Sequence, residues 1–293
     1  MKRRHWQGHA VLIAVTLIWG TTFAVTKSSL DHVPPLYFLA WRFSIAAAVL
    51  AALNFRALPS VTWEELLGGL VMGMTLTVGY ITQTVGMVYS SAAKAGFITG
   101  LAVVLVPLVG AIFFRRRPGF FVYIAAAVAA VGLALLTLDP SEGWSIGLGE
   151  IYLLTCAVAF AFNILCLGYF APRCRVGVLT TLQIAVIAVV CWLATSILET
   201  PVPLSGQMWL SLLYLAVVAT VITFSGQVWG QRLVSPERAA LIYTLEPVFA
   251  AFFARLLLGE TLPATGVLGS ILIMAGIIGA ELAPGKGKQR EME

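Results

Sequence analysis

Charge is what this chain has least of. Its 293 residues include 18 Lys or Arg and 13 Asp or Glu, so 11% are charged, where a soluble domain carries roughly 25%. That shortage excludes a water-covered globule of this size, which would need far more polar surface. The bilayer is the solvent that suits a 60% hydrophobic chain with a mean hydropathy of +0.95. Cysteine is scarce too. Cys156, Cys166, Cys174 and Cys191 show no CxxC or metal-ligand spacing, and three of them lie in apolar runs, where cysteine acts as a small hydrophobe. No disulfide framework or metal site is expected. There are three histidines, and no P-loop, GxSxG or HExxH motif. This argues against ATPase, hydrolase and zinc-protease chemistry, and no cofactor or enzymatic role is expected. A net charge of +5 raises the question of nucleic acid, but a binding patch needs its basic residues clustered on one exposed face. Here they sit in short gaps between apolar runs, so no nucleic-acid partner is expected.

What is abundant is long apolar sequence. Runs near the 20 residues needed to cross a roughly 30 Å hydrocarbon core occur at 10–28, 35–54, 66–89, 95–114, 119–138, 147–169, 178–198, 208–231, 239–258 and 264–283. Barrel strands would alternate apolar and polar residues over about ten positions, so ten helices are expected. The connections are short and hold the turn formers, as in Asp31-His32-Val33-Pro34-Pro35, Asp139-Pro140-Ser141-Glu142-Gly143 and Leu282-Ala283-Pro284-Gly285. The first run follows Lys2-Arg3-Arg4 and is longer than the roughly 7–15 residues of a signal-peptide core. It is read as an uncleaved first helix.

With the N-terminus cytoplasmic, fourteen of the eighteen basic residues fall on the cytoplasmic side: Lys2, Arg3, Arg4, Arg56, Arg115, Arg116, Arg117, Arg173, Arg175, Arg232, Arg238, Lys286, Lys288 and Arg290. The far side receives Lys27 and Lys94. This one-sidedness predicts two cytoplasmic termini and an even number of spans.

The chain also repeats itself. A shift of 144 residues places Gln83 on Gln227, Gly86 on Gly230, Ser91 on Ser235, Lys94 on Arg238, Ala95 on Ala239 and Gly132 on Gly276. Each copy, 1–140 and 141–293, holds five spans. An odd number makes the second copy enter from the opposite side. Inverted repeats are a transporter architecture with the solute site near the midplane.

Several segments resemble a known family. Leu17-Ile18-Trp19-Gly20-Thr21-Thr22-Phe23-Ala24, Phe38-Leu39-Ala40-Trp41-Arg42-Phe43, and Leu245-Glu246-Pro247-Val248-Phe249-Ala250 continuing to Leu256-Leu257-Leu258-Gly259-Glu260 are similar to the EamA-type ten-helix exporters of the drug/metabolite transporter superfamily. Pro263 and Gly266 resemble the opening of that family's last helix. One departure is Arg115-Arg116-Arg117, where the second copy has Gly259-Glu260-Thr261. The resemblance implies an all-α membrane protein of ten transmembrane helices in two inverted five-helix repeats, exporting or exchanging small polar metabolites across the bacterial inner membrane. Amino acids and hydrophobic cations are among its substrate classes, and an aromatic amino-acid exporter is the nearest functional model.

Ionisable groups inside a bilayer cost about 2.5–3.5 kcal/mol on insertion scales. Glu246 sits roughly 10 Å inside its span. It reads either as a carboxylate that titrates or meets a substrate ammonium, or as a structural acceptor beside the helix break at Pro247, whose missing N–H frees a carbonyl. Arg42 lies roughly 10 Å inside the opposite end of its own span. It reads as a substrate-carboxylate or Glu246 partner, or as a snorkelling cation. Arg255, near a helix end, reads as interfacial. Gln83 and Gln227 are repeat-equivalent and flanked by glycines. They read as cavity amides or as interhelical hydrogen bonds. Trp19, Tyr80, Phe97, Asn163 and Tyr243 are further cavity candidates, suited to amphipathic or aromatic solutes. Gly69–Gly73, Gly96–Gly100 and Gly226–Gly230 have the GxxxG spacing of close helix packing. The function expected is a secondary carrier for amino acids or related metabolites. A multidrug exporter, a channel and a non-transporting membrane component are the alternatives, and the lipid bilayer and one small solute are the partners expected. Sequence says nothing of oligomeric state.

Overall fold

A computed structural model describes residues 2–90, 92–115, 118–137, 147–258 and 264–282, and all regular structure among them is helical. The first half holds α1 (Lys2–Trp19), α2 (Thr22–Leu30), α3 (Pro35–Asn54), α4 (Trp63–Tyr89), α5 (Ala92–Gly100), α6 (Ala102–Phe113) and α7 (Phe120–Thr137). The second holds α8 (Leu148–Phe170), α9 (Val176–Leu198), α10 (Gly206–Leu213), a π-helical stretch (Tyr214–Ile222), α11 (Thr223–Gln231), α12 (Pro236–Tyr243), α13 (Leu245–Leu258) and α14 (Ala264–Leu282). Eight continuous or gently broken helices are long and apolar enough to cross a membrane, with Ala264–Ala280 a shorter apolar one. The pair α12–α13 makes the tenth pass. This is a multi-pass membrane protein of five passes per half, the second half inverted relative to the first. Pass boundaries match the expected spans within about one helical turn, except that α1 begins at Lys2, eight residues before the expected start. The turns at Asp139–Gly143 and Ala283–Gly285, Ser91, the comparison of Arg116–Arg117 with Gly259–Thr261, Pro263, the side chains of Lys2–Arg4 and Arg255, and the basic tail all lie outside the described residues and side chains.

Three passes break, and the breaks follow local chemistry. The α5–α6 break falls at Leu101 (φ −61°, ψ −10°) and the α12–α13 break at Thr244 (φ −66°, ψ −8°). Gly100 and Thr244 are 144 positions apart, so the two breaks are repeat-related. Pro247 cannot bond the Tyr243 carbonyl, and the Thr244 hydroxyl donates to the Leu241 carbonyl at 2.6 Å. The α1–α2 break, at Gly20–Thr21, has no counterpart, because α8 runs straight through Ile164 and Leu165. Gly20 is required there: a Cβ would lie 2.9 Å from Phe249 Cβ and 3.0 Å from the Glu246 carbonyl oxygen.

The passes pack closely where small residues allow. Two of the GxxxG pairs do so: Gly69 and Gly73 receive Leu182 and Val186 of α9, while Gly226 and Gly230 receive Val15 and Leu12 of α1. Gly96 of the third pair is open on its Cβ side and faces the central cavity instead. Helix α4 packs along α8, α3 along α9, and α7 along α14. The loop ends are tied by polar contacts. Glu65, which caps the start of α4 through Thr62, takes Arg175 Nε and Nη2 at 2.7 Å each. That bond joins the two halves on the basic face. On the opposite face Glu199 accepts the Leu36 and Tyr37 amides at 3.0 and 2.7 Å.

Candidate functional site

The repeat-related breaks open the middle of the bundle. A cavity of about 110 Å³ lies there. Its lining follows the internal repeat. Trp19 and Asn163, Tyr80 and Phe224, Gln83 and Gln227, Thr99 and Tyr243, Gly100 and Thr244, and Ala102 and Glu246 all line it, and the members of each pair are 144 positions apart. Gly96 with Ala240 and Val103 with Pro247 complete eight pairs. The wall is therefore one surface built twice around a central axis. The two charges break the pattern. Glu246 stands opposite Ala102 in the repeat, and Arg42 opposite Val186, which is not in the lining.

Aromatic rings form a continuous wall. Tyr243 meets Trp19 at 5.5 Å between centroids, Trp19 meets Phe224 at 5.7 Å, Phe224 meets Tyr80 at 6.1 Å, and Tyr80 meets Phe160 at 5.7 Å. These tilted and edge-on arrangements suit the ring quadrupoles. The Trp19 indole donates to Thr223 Oγ1 at 3.0 Å, which fixes the ring against the neighbouring pass. The Tyr243 hydroxyl donates to Gln231 Oε1 at 3.1 Å, and Gln231 Nε2 donates to the Ile164 carbonyl at 3.1 Å. Both of these Gln231 bonds reach out to other passes and hold one end of the wall.

Two charged residues border the cavity beside this wall. Arg42 is 3% exposed, so it does not snorkel to the membrane surface. Its Nε donates to Thr220 Oγ1 at 3.1 Å, and its guanidinium carbon is 5.3 Å from the ring centroids of Phe43 and Tyr80. Glu246 follows Tyr243 by three residues and is near enough to Tyr80 for its charge to act there. Its carboxylate borders the cavity and has no ion pair or hydrogen bond among the described residues. The expected alternative of an Arg42–Glu246 bridge is not formed among them.

The amides divide in the same way. Asn163 Nδ2 donates to the Met72 carbonyl at 3.2 Å and to Thr75 Oγ1 at 3.1 Å, so it joins α8 to α4 while bordering the cavity. Gln227 is 4% exposed and its Oε1 has no hydrogen-bond partner among the described residues. An orphan acceptor in a low-dielectric site is an opening for a donor on a solute.

Of the expected residues, Trp19, Tyr80, Gln83, Asn163, Gln227, Tyr243, Glu246 and Arg42 all border this one cavity. Phe97 does not. The cavity face of α5 carries Gly96, Thr99 and Gly100, and Phe97 is turned about 100° from Gly96. Its ring packs instead against the apolar clusters containing Leu133 with Ile242 and Met87 with Leu153. Phe160, Phe224, Thr99, Thr220 and Thr223 were absent from the expected set. Applying the 144-residue shift to Tyr80 and Tyr243 would have found Phe224 and Thr99.

Comparison with known proteins supplies the lineage. The EamA-like transporter family model matches twice, over residues 6–138 and 147–281. The chain belongs to the EamA-like transporter family. The two matches coincide with the two halves of this EamA fold. Similar proteins include an "Uncharacterized transporter" of Archaeoglobus fulgidus, 31% identical over 268 residues, covering 91% of this chain and 83% of the relative. A "Probable amino-acid metabolite efflux pump" of Salmonella typhimurium is 31% identical over 291 residues, covering 90% and 91%. An "S-adenosylmethionine/S-adenosylhomocysteine transporter" of Chlamydia muridarum is 25% identical over 288 residues, covering 90% and 87%. A solved crystal structure superposes with a TM-score of 0.79 at 20% identity, covering 94% of this chain and 97% of that one; it supports the fold alone. Family members of this kind are transporters of small molecules in a lipid environment.

Proposed function

We propose that this EamA-family protein is a secondary transporter that exports or exchanges amino acids or related small metabolites across the bacterial inner membrane. Repeats 1–140 and 141–293 move against each other by alternating access, and both termini are cytoplasmic. The observation that carries the reading is one cavity bordered by a guanidinium, an aromatic wall and a carboxylate without a partner among the described residues. A zwitterion with an apolar side chain matches that set of groups. Its carboxylate suits Arg42, its ammonium suits Glu246 and the free Gln227 oxygen, and its side chain suits the rings. The name of the Salmonella relative supports the same class. Glu246 also suits proton exchange, since a carboxylate within a membrane pass, without a partner among the described residues, is poised to be neutralised by a proton or a cation. No cofactor enters this scheme.

The test is counterflow of labelled amino acids and cationic dyes in proteoliposomes. Saturable exchange of amino acids is expected. Exchange of dyes alone would identify a hydrophobic-cation exporter, and a protein that moves neither would be a membrane component without transport. Impermeant labelling of tags at the two ends is expected from one side only; labels on opposite faces would overturn the inverted arrangement of the repeats in the membrane.

A further inference from the structure

The π-helical stretch Tyr214–Ile222 interrupts only the second repeat. Its counterpart, residues 70–78, lies in regular α-helix within α4. A π-helical run of nine residues is rare, since π turns mostly occur singly inside α-helices and often at functional sites. This one is pinned to the cavity from three sides: the Thr21 hydroxyl bonds the Tyr214 hydroxyl at its start, Arg42 bonds Thr220 near its end, and Trp19 bonds Thr223 just past it.

Thr220 shows what the wider turn accomplishes. Thr16, Thr77, Thr180 and Thr223 return their hydroxyls to the carbonyl four residues earlier, as an α-helix allows. Thr220 donates instead to Leu215, five residues earlier, at 2.8 Å. Its lone pairs are thereby presented to Arg42 Nε at 3.1 Å. With Nε held and the guanidinium carbon against the adjoining rings of Phe43 and Tyr80, whose centroids are 4.9 Å apart, the fork is restrained on that side. The terminal nitrogens carry four further N–H groups, and the Tyr80 hydroxyl is also within reach of the guanidinium. An end-on pair of N–H donors is the geometry that takes a carboxylate with two parallel bonds. Neither Arg42 nor Thr220 has a polar counterpart in the other repeat, where Val186 and Leu76 stand. The first repeat therefore supplies the charge, and the π stretch of the second supplies its holder.

We propose that Thr220, displaced by the π turn, is the positioning residue that aims Arg42 at the carboxylate of the transported solute. The inference rests on reading the cavity as a transport site and adds to it the group that confers specificity for carboxylates. Arg42 supplies the attraction, and Thr220 supplies the direction.

The experiment compares binding of phenylalanine and phenylalaninamide to the purified full-length protein, by displacement of labelled phenylalanine. The two ligands share ring and ammonium and differ in the carboxylate. Losing a charge-assisted bidentate pair lowers affinity by about tenfold or more, so the wild type is expected to prefer the acid by at least about that factor. T220V, close in shape but without the hydroxyl, is expected to lose most of this preference by weakening the acid while leaving the amide within about twofold. T220S keeps the hydroxyl and is expected to restore the preference. Equal weakening of both ligands in T220V would mark a structural role and overturn the proposal, as would a preference that survives the substitution. If T220V does not fold, T220A makes the same comparison. A wild type that exchanges amino acids in counterflow yet binds acid and amide equally refutes the role of Thr220 and leaves the transport reading standing. A wild type that neither binds nor exchanges them removes both.

Discussion

Replacing Glu246 with Gln isolates the negative charge that borders the cavity. The amide has nearly the same shape, and the native carboxylate makes no bond to a described residue that the change would break, so the fold is expected to survive. What is lost is a charged acceptor facing the solute. Hydrogen bonds to charged groups contribute about 1.5–3 kcal/mol, which corresponds to a rise of about ten- to a hundredfold in the half-saturating concentration of an amino acid. Gln retains a neutral carbonyl oxygen, which favours the lower part of that range. Counterflow rates measured against substrate concentration, with no pH gradient, give this number directly. A second arm imposes a pH gradient. If Glu246 also carries the exchanged proton, E246Q loses gradient-driven accumulation while retaining counterflow. Unchanged half-saturation and unchanged response to the gradient in well-folded E246Q would refute both assignments.

Three further outcomes follow from the same geometry. Gln227→Ala is expected to slow amino-acid counterflow by several-fold, since it deletes a buried acceptor worth about 1 kcal/mol; rates equal to those of an exposed loop variant would reduce Gln227 to packing. Trp19→Phe keeps the ring but loses the bond to Thr223, so it is expected to bind an aromatic solute within about tenfold of wild type, with Trp19→Ala clearly weaker; equal loss in both would place the contribution in the indole N–H alone. Gly20→Val forces side-chain atoms into Phe249 and the α13 backbone, and overpacking of this kind costs about 1–3 kcal/mol; thermal unfolding in detergent should show a lower midpoint, and an unshifted midpoint would mean that α1 and α13 are free to separate there.

The bundle was legible because hydrocarbon imposes length on every pass, and the spans emerged from apolar runs alone. The repeat was legible through Gln83 and Gln227, polar residues that stand out in an apolar background. The breaks were harder to read. Gly20, Gly100 and Thr244 are ordinary small residues in membrane helices, and only Pro247 announces an interruption. Phe97 was misplaced because one step along a helix turns a side chain by about 100°, and composition carries no such phase. Thr220 was invisible for a different reason. Its role depends on the π turn and on Arg42, 178 residues away, and nothing local distinguishes it from the threonines that bond their own helix.

The paired lining of the cavity has a consequence for how such a protein acquires new cargo. A vestibule whose two sides descend from the same template can retain its shape on one side while the other is altered, so a single replacement changes the chemistry without rebuilding the container. Moving both charges to their mates, the acid to Ala102 and the guanidinium to Val186, would then present the same solute in the reverse orientation. On the proposed reading, selectivity belongs to the places where the twins have ceased to match.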